Sequence, residues 1–191
     1  MEVKKRRQVL SSALDAFFKY GFKRLSMKEI AELADVSRAG LYMDFKDKEA
    51  LLNAAILHYA EVLIEEIEEG LKNKKTTEDK ILFAFEVWSI RSFEQYMTSP
   101  EAKEIIEGYL SFARESFDAS YKRLESLIAS LIRAHFRDDD SKKVLSADRT
   151  AHLLVSASRG FKLVAKTGVE LRRMLHDQLR LDLGIARKTS E

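Results

Sequence analysis

The chain has 191 residues, of which 46% are hydrophobic and 34% charged, with a formal net charge of +2. This composition excludes general disorder, and the absence of cysteine excludes disulfides, cysteine-ligated zinc and thiol catalysis. The opening MEVKKRRQVL lacks the apolar core of a signal peptide, and no apolar run approaches the roughly 20 residues of a spanning helix, so we expect a cytoplasmic protein with no membrane partner.

One proline and seven glycines leave few breaks in the chain, which favours an all-α fold of long helices. The first predicted helix runs from about Lys4 to Tyr20. Its apolar stripe consists of Leu10, Ala13, Leu14 and Phe17. Gly21 is predicted to end this helix in the left-handed conformation that glycine adopts without strain.

The segment from Ser26 to Glu49 predicts two short helices joined by a tight turn. Ser26 and Glu29 have the spacing of a capping box, which starts the first helix. Asp35 and Val36 then form the turn. Ser37 can cap the second helix, whose inward residues would be Leu41 and Phe45. This is helix-turn-helix spacing, in which the second helix enters the major groove of duplex DNA.

The same segment resembles the DNA-binding region of the TetR family of bacterial transcriptional regulators. The matching residues are Leu10, Ala13, Leu14, Phe17, Gly21-Phe22, Ser26, Ile30-Ala31, Val36-Ser37, Leu41-Tyr42, Phe45-Lys46 and Lys48-Glu49. The resemblance implies an N-terminal three-helix bundle with a helix-turn-helix over residues 1–48. Residues 49–191 would then form a helical bundle for effector binding and dimerisation.

The second helix of the motif carries the candidate DNA contacts. Arg38 can hydrogen-bond twice to guanine, the small Ala39 and Gly40 allow close approach, and Tyr42 can reach a phosphate. Positive charge is concentrated in the segment that contains the motif, since residues 1–48 hold eleven Lys/Arg against seven Asp/Glu. The resemblance implies that Lys46 and Lys48 grip the phosphate backbone. The predicted DNA-binding set is Lys28, Ser37, Arg38, Ala39, Gly40, Tyr42, Met43, Lys46 and Lys48; for Lys28, simple solubility is an equal alternative.

Three positions depart from the pattern that the resemblance implies. Asp35 stands where glycine is common, although Asp tolerates left-handed geometry. The order Ala39-Gly40 places glycine inside a short helix, at a cost of roughly 1 kcal/mol against alanine. Asp44 stands where histidine or tyrosine is usual, and its carboxylate would repel phosphates. We therefore expect an unusual operator or weak DNA affinity.

Further helices are predicted along the rest of the chain. They run from Lys48 to Leu71, from a Thr77 cap to Met97, from Glu101 to Arg137 with an irregularity near Gly108 or Asp118, from Ser146 or Ala147 to Lys166, and from Val169 to Leu183. Pro100 suits a first helical turn. A polar loop over 137–143 and a frayed tail complete the prediction.

Large aromatic residues are frequent between residues 83 and 121. Most are expected to fill the core, but tryptophan and tyrosine add a polar group to an apolar body and suit a cavity for an apolar or amphipathic molecule. The resemblance implies a ligand pocket in this region. The predicted ligand-binding residues are Trp88, Tyr96, Tyr109, Phe112, Phe117 and Tyr121.

The last two helices have a composition suited to association. Small residues in the first permit close helix approach, and the second carries an apolar stripe. The resemblance implies that these helices pair with their copies in a four-helix homodimer interface; burial in the chain's own core is the alternative. The predicted interface residues are Ala151, Ser158, Leu171, Met174 and Leu175.

The chain shows no catalytic or metal motif. Its four histidines are far apart, and none has a metal-ligand partner at helical i+4 spacing. We therefore predict no enzyme activity, metal or cofactor. The expected function is that of a DNA-binding transcriptional regulator, a ligand-responsive repressor that binds a pseudo-palindromic operator as a homodimer. The alternative is a helical interaction protein of the same fold that has lost sequence-specific DNA binding.

Overall fold

The computed structural model describes residues 1–96, 99–106, 111–136 and 145–183. These residues form helices and, across the described ranges, no β-strand, so the predicted all-α class is confirmed. The α-helices are α1 (Val3–Tyr20), α2 (Met27–Leu33), α3 (Arg38–Asp44), α4 (Lys48–Leu71), α5 (Thr77–Phe85), α6 (Arg91–Tyr96), α7 (Pro100–Ile106), α8 (Arg114–His135), α9 (Ala147–Val164) and α10 (Gly168–Leu183).

The first four helices lie close to their predicted positions because their ends carry strong local signals. Helix α4 has the predicted bounds. Helix α1 ends at Gly21, whose φ of 86° and ψ of 146° favour glycine but lie outside the left-handed helical region that was predicted. The Gly21 amide nevertheless donates to the Phe17 carbonyl at 2.9 Å.

The predicted helix from Thr77 to Met97 is wrong in two respects within the described residues. Its N-cap is Thr76, whose hydroxyl accepts a hydrogen bond from the Asp79 amide at 3.0 Å. A π-helical turn, Glu86–Ile90, then separates α5 from α6. Such a turn changes the backbone bonding to i→i+5, and residue propensities give no sign of it. The predicted end at Met97 lies outside the described residues.

The boundaries of the later helices agree in part with the predicted ones. Pro100 is the first residue of α7, as predicted. Of the two predicted sites of irregularity, Gly108 lies outside the described residues, and α8 runs unbroken through Asp118. A 3₁₀ turn, Ser111–Ala113, precedes α8. Ser146 caps α9 by accepting from the Arg149 amide at 3.2 Å. The predicted loop over 137–143 also lies outside the described residues.

The described residues belong to two compact units, Met1–Val62 with Tyr96–Ser120, and Leu63–Gln95 with Tyr121–Glu191. The first unit extends beyond the predicted domain 1–48 and includes α7, which packs on α1. A boundary at residue 48 follows the motif, whereas the contacts of the first unit continue into α4. The functional boundary between 1–48 and 49–191 stays a prediction.

The core of the first unit fixes the position of the motif. Helix α2 packs on α1 and α3, and burial of their apolar faces is what holds α3 in place. Each fully buried large apolar side chain contributes roughly 1.5–3 kcal/mol relative to exposure. The largest fully buried side chains of this core are Leu10, Phe17, Ile30, Leu41, Leu51, Leu52 and Ile105.

In the second unit, α10 packs on α9 and α5. The buried residues there include Ile81, Phe85, Leu124, Leu154, Leu171, Leu175 and Leu179. Leu171, Leu175 and Leu179 recur at i+4 spacing, so α10 contributes one apolar face to this core.

Candidate nucleic-acid interface

A capping box starts α2 as predicted. The Ser26 amide donates to the Glu29 carboxylate at 2.8 Å, and the Glu29 amide donates to Ser26 Oγ at 3.3 Å. The hydrogen bonds from Ser26 lower the pKa of the Glu29 carboxyl. The charged form of Glu29 is therefore the one that fits this helix start.

The turn between α2 and α3 depends on one residue with unusual backbone geometry. Asp35 has a φ of 53° and is the one non-glycine residue with positive φ among those described. The prediction that Asp replaces glycine in a left-handed turn is confirmed. The following amide, that of Val36, donates to the Ala31 carbonyl at 3.0 Å, which closes the turn and sets the direction of α3.

Helix α3 has one buried side and one open side. Ser37 caps it by accepting from the Gly40 amide at 3.0 Å, as predicted. Leu41 is 0% exposed, whereas Met43, on the opposite side of the helix, is 87% exposed. The Arg38 guanidinium lies 5.5 Å from the centre of the Tyr42 ring, which restrains both side chains on the open side.

The presence of glycine at position 40 has a local structural reason that the sequence did not reveal. A Cβ atom at this position would lie 3.1 Å from Ser37 Oγ, the atom that caps the helix. Alanine here would crowd the cap. The expected gain in helix propensity on replacing Gly40 is therefore at least partly offset.

The open side of α3 belongs to a longer exposed surface. Arg38, Ala39, Tyr42 and Met43 are all exposed, and we call these four residues the outer face of α3. Lys28 and Lys46 are exposed too; their nearest carboxylates are Glu32 at 3.7 Å and Asp47 at 3.8 Å. Exposed pairs of this kind contribute little and exchange readily with another anion. Contact between these residues and DNA stays a prediction.

Lys48 differs from the other cations of the predicted set. Its ammonium donates to the carbonyls of Phe22 at 2.6 Å and Leu25 at 2.7 Å and lies 4.4 Å from the centre of the Phe22 ring. Burial lowers the pKa of Lys48, and the carboxylate of Glu29 opposes that shift. The predicted phosphate contact stays a prediction, but the structure gives Lys48 internal partners that the sequence pattern did not reveal.

Asp44 lies at the end of α3, near the start of the chain. Its Oδ1 is 3.4 Å from the amino group of Met1, and its side chain is 18% exposed. Its Oδ2 is buried and has no hydrogen-bond partner within the described part of the chain. Arg6 lies 5.3 Å from the centre of the adjacent Phe45 ring. The carboxylate is thus turned partly inward, which reduces the repulsion expected from its sequence position.

The predicted ligand-binding residues fall in both units. In the first unit, Phe112 and Phe117 pack on the apolar core, with the Phe112 ring 5.0 Å from that of Phe22. In the second unit, the rings of Trp88 and Tyr121 are 5.9 Å apart. The Tyr96 side chain and Tyr109 lie outside the described residues. Core packing therefore accounts for Phe112 and Phe117, and ligand contact at the other positions stays a prediction.

Two cations surround Tyr121 that sequence analysis did not assign to a site. Lys162 Nζ donates to the Tyr121 hydroxyl at 3.3 Å, and Arg159 lies 4.4 Å from the centre of the ring. Both come from α9, about forty residues away in sequence, so no local pattern could have found them.

A separate cleft of about 580 Å³ in the same unit is lined by Asn73, Lys74, Lys75, Asp79, Leu82, Phe83, Phe85, Glu86, Ile90, Arg172, Leu175 and His176.

The predicted dimer residues require a correction. Ala151, Ser158, Leu171 and Leu175 are each at most 1% exposed, because α9 and α10 turn these side chains into the core of their own unit. Met174 is half-buried. The stripe identified in the sequence is therefore a core stripe. The exposed large apolar residues of the two helices are Leu153, Leu163, Val164, Val169 and Leu181.

The described ranges hold neither a membrane-spanning helix nor a cluster of side chains for a metal ion. None of the helices there is both long and apolar enough to span a bilayer. No group of three His, Asp or Glu side chains is placed so that it could hold a metal ion.

Comparison with known proteins finds similarity in the segment that contains α1 to α3. Residues 9–55 match the family model for bacterial regulatory proteins of the tetR family. The chain is 44% identical over 52 residues to the HTH-type transcriptional regulator RutR of Escherichia coli K12. That match covers 27% of this chain and 24% of RutR. The predicted resemblance to the TetR family is confirmed, and the matched proteins are regulators rather than enzymes.

Solved structures extend the similarity of fold to nearly the whole chain. A protein from Rhodococcus sp. assigned to the TetR family is 19% identical, with a TM-score of 0.74 over 94% of this chain and 99% of that protein. The repressor FadR of Thermus thermophilus, solved with lauroyl-CoA, is 24% identical, with a TM-score of 0.65 over 97% of each chain. At this identity the likeness shows a shared fold.

Proposed function

We propose that this chain, which carries the N-terminal segment of the TetR family, is a DNA-binding transcriptional regulator. The single observation that carries the proposal is the outer face of α3. Its four residues are exposed, while the same helix is capped by Ser37 and anchored by a fully buried Leu41. A short helix with one anchored side and one open side fits the major groove.

A salt titration of duplex binding tests this proposal. A regulator that neutralises phosphates loses affinity linearly in a plot of log affinity against log salt. We expect a steep slope for the wild-type protein and a shallower slope for Lys46→Met. Affinity that is absent, or that does not respond to salt, would contradict the proposal.

We further propose that the regulator acts as a homodimer on a pseudo-palindromic operator. A second copy of the chain would cover the exposed apolar residues of α9 and α10. These residues are Leu153, Leu163, Val164, Val169 and Leu181. A two-fold dimer would present two recognition helices about 34–36 Å apart, one turn of duplex DNA. Sedimentation of the free protein and of its DNA complex tests this stoichiometry.

We also propose that a small apolar or amphipathic effector lowers the DNA affinity, so that the regulator is a repressor released by ligand. Two observations support an effector in the second unit: the Trp88–Tyr121 contact with its neighbouring cations, and the similarity of fold to a FadR solved with lauroyl-CoA. Coupling requires the ligand to bind the DNA-free conformation more tightly than the DNA-bound one.

Trp88 offers a direct test of the effector proposal, because it is the one tryptophan of the chain. Titration with saturated acyl-CoAs should change its fluorescence and, at saturation, weaken binding to the operator. Choline and free coenzyme A serve as ligands that lack the long apolar chain. A fluorescence change with no effect on DNA affinity would contradict ligand-controlled repression.

Asp44 supports the alternative, a helical interaction protein of this fold without sequence-specific DNA binding. A carboxylate at the end of α3 lowers the affinity for phosphates wherever it remains near them. Replacing Asp44 with histidine should raise affinity for random duplex DNA at fixed salt. Unchanged affinity would mean that the inward position of the carboxylate already removes its effect.

A further inference from the structure

The contacts of Lys48 assign it a different role from that of the other predicted DNA-binding cations. Its ammonium contacts the carbonyls of Phe22 and Leu25 and the Phe22 ring, all within the first unit. Two of its three N–H groups are therefore occupied by protein. Lys46, two residues earlier, is 83% exposed, and its ammonium lies 3.8 Å from the carboxylate of the neighbouring Asp47.

The two carbonyls belong to the connection between α1 and α2. Leu25 immediately precedes Ser26, the residue that starts α2 through its capping box. Lys48 is the first residue of α4. One ammonium therefore joins the residue that opens α4 to the segment that opens α2, with the whole helix-turn-helix between them in sequence.

We propose that Lys48 is a positioning residue, which holds α2 and α3 in the orientation that recognises an operator by bridging the starts of α2 and α4. We call this set of contacts the Lys48 bridge. The inference rests on the proposed DNA-binding function but concerns a different quantity, the discrimination between operator and random duplex. A cation that only contacts phosphate supports binding to every sequence equally.

Loss of the bridge would leave part-buried carbonyls without partners. Such groups cost free energy when unsatisfied, so the connection over residues 22–25 would rearrange to reach water. Because α2 starts at the end of that connection, α3 would shift with it. The expected consequence is a loss of base-specific contacts with little loss of phosphate attraction. The lowered pKa of Lys48, caused by burial, agrees with an ammonium held inside the protein.

The first test compares Lys48→Met with Lys46→Met in the full chain. Both variants remove one charge, and both are assayed on a selected operator and on random duplex across a salt series. For Lys46→Met we expect the salt slope to fall by about one per bound subunit and both affinities to drop alike. For Lys48→Met we expect an unchanged slope and a loss of about tenfold in the operator-to-random ratio. A reduced slope with an unchanged ratio for Lys48→Met would overturn the proposal.

The second test uses the wild-type protein, so that a variant that fails to fold cannot obscure the answer. Reductive methylation of lysines, mapped by mass spectrometry, is performed with and without operator DNA. We expect Lys46 to react in the free protein and to be protected by DNA, whereas Lys48 is protected in both. A Lys48 that reacts freely and becomes protected only by DNA would overturn the bridge. If Lys46 shows no protection by any duplex, the DNA-binding proposal fails separately.

Discussion

The two units of this molecule differ in how directly sequence specifies their functional residues. In the first unit, each boundary of the motif is set by neighbours within a few residues: Ser26 with Glu29, Asp35 with Glu32, and Ser37 with Gly40. In the second unit, the residues that meet at Tyr121 come from helices about forty positions apart. Local chemistry therefore defines the helix-turn-helix, whereas the cluster at Tyr121 depends on packing between distant segments.

The sharpest contrast within the first unit is between the two sides of α3. Leu41 is fully buried and Met43 almost fully exposed. Leu41→Ala should lower the free energy of unfolding by about 2–5 kcal/mol, because it leaves a cavity in the core. Met43→Ala, the matched control, should change stability by less than about 0.5 kcal/mol. Urea denaturation measures both, and similar effects would mean that α3 is not anchored as described.

The corresponding contrast in the second unit concerns the outer sides of α9 and α10. Leu163 is 68% exposed, and Leu33 of the first unit is 51% exposed. Leu163→Asp should convert a dimer to a folded monomer, because a charge in an apolar interface is left without a partner.

Sedimentation equilibrium distinguishes the outcomes, and Leu33→Asp is the control expected to leave the assembly unchanged. A dimer that persists in Leu163→Asp would remove this face from the proposed interface.

The turn allows a smaller test of local control. Asp35→Ala should destabilise the protein by about 1 kcal/mol, since alanine at positive φ lacks both the tolerance of glycine and the polar side chain of aspartate. Asp35→Gly should be neutral to mildly stabilising. Thermal unfolding compares the two, with Asp15→Ala on the exposed side of α1 as a reference. Equal stability of the alanine and glycine variants would contradict the strain assigned to this backbone.

The smallest expected effect is a pH dependence at the start of α2. Because the pKa of the Glu29 carboxyl is lowered in the folded state, its contribution is present above the unfolded pKa and is lost as the pH falls through the folded value. Glu29→Gln should therefore lose less stability than wild type on acidification below about pH 4.5. Parallel acid-unfolding curves for the two proteins would contradict the capping role of the charged form.

Sequence patterns predicted most of the first unit for a physical reason. Caps and turns act through short-range hydrogen bonds, so residue identity at two or three positions decides them. The internal partners of Lys48 were not predicted. A basic residue after a recognition helix is compatible both with phosphate contact and with contacts inside the protein, and the sequence does not distinguish the two. The contact of the Asp44 carboxylate with the amino group of Met1 also joins positions far apart in sequence, so neighbouring residues do not indicate it.

The apolar sequence patterns of the second unit were ambiguous, because a pattern identifies the apolar face of a helix but not the surface against which that face packs. The sequence shows that the stripe containing Leu171 and Leu175 is apolar, and the structure shows that it packs into the core of its own unit. The π turn at Glu86–Ile90 has no signal in residue propensity. Phe112 and Phe117 likewise fit a ligand pocket and a core equally well until their neighbours are known.

The central claim is that the outer face of α3 recognises duplex DNA by sequence. The most direct measurement is selection of bound duplexes from a random pool, performed in parallel with wild-type protein and Arg38→Ala. We predict that the wild-type protein enriches a pseudo-palindrome and that Arg38→Ala loses the preference for guanine at one position in each half-site. Wild-type protein that recovers the pool without enrichment would contradict it.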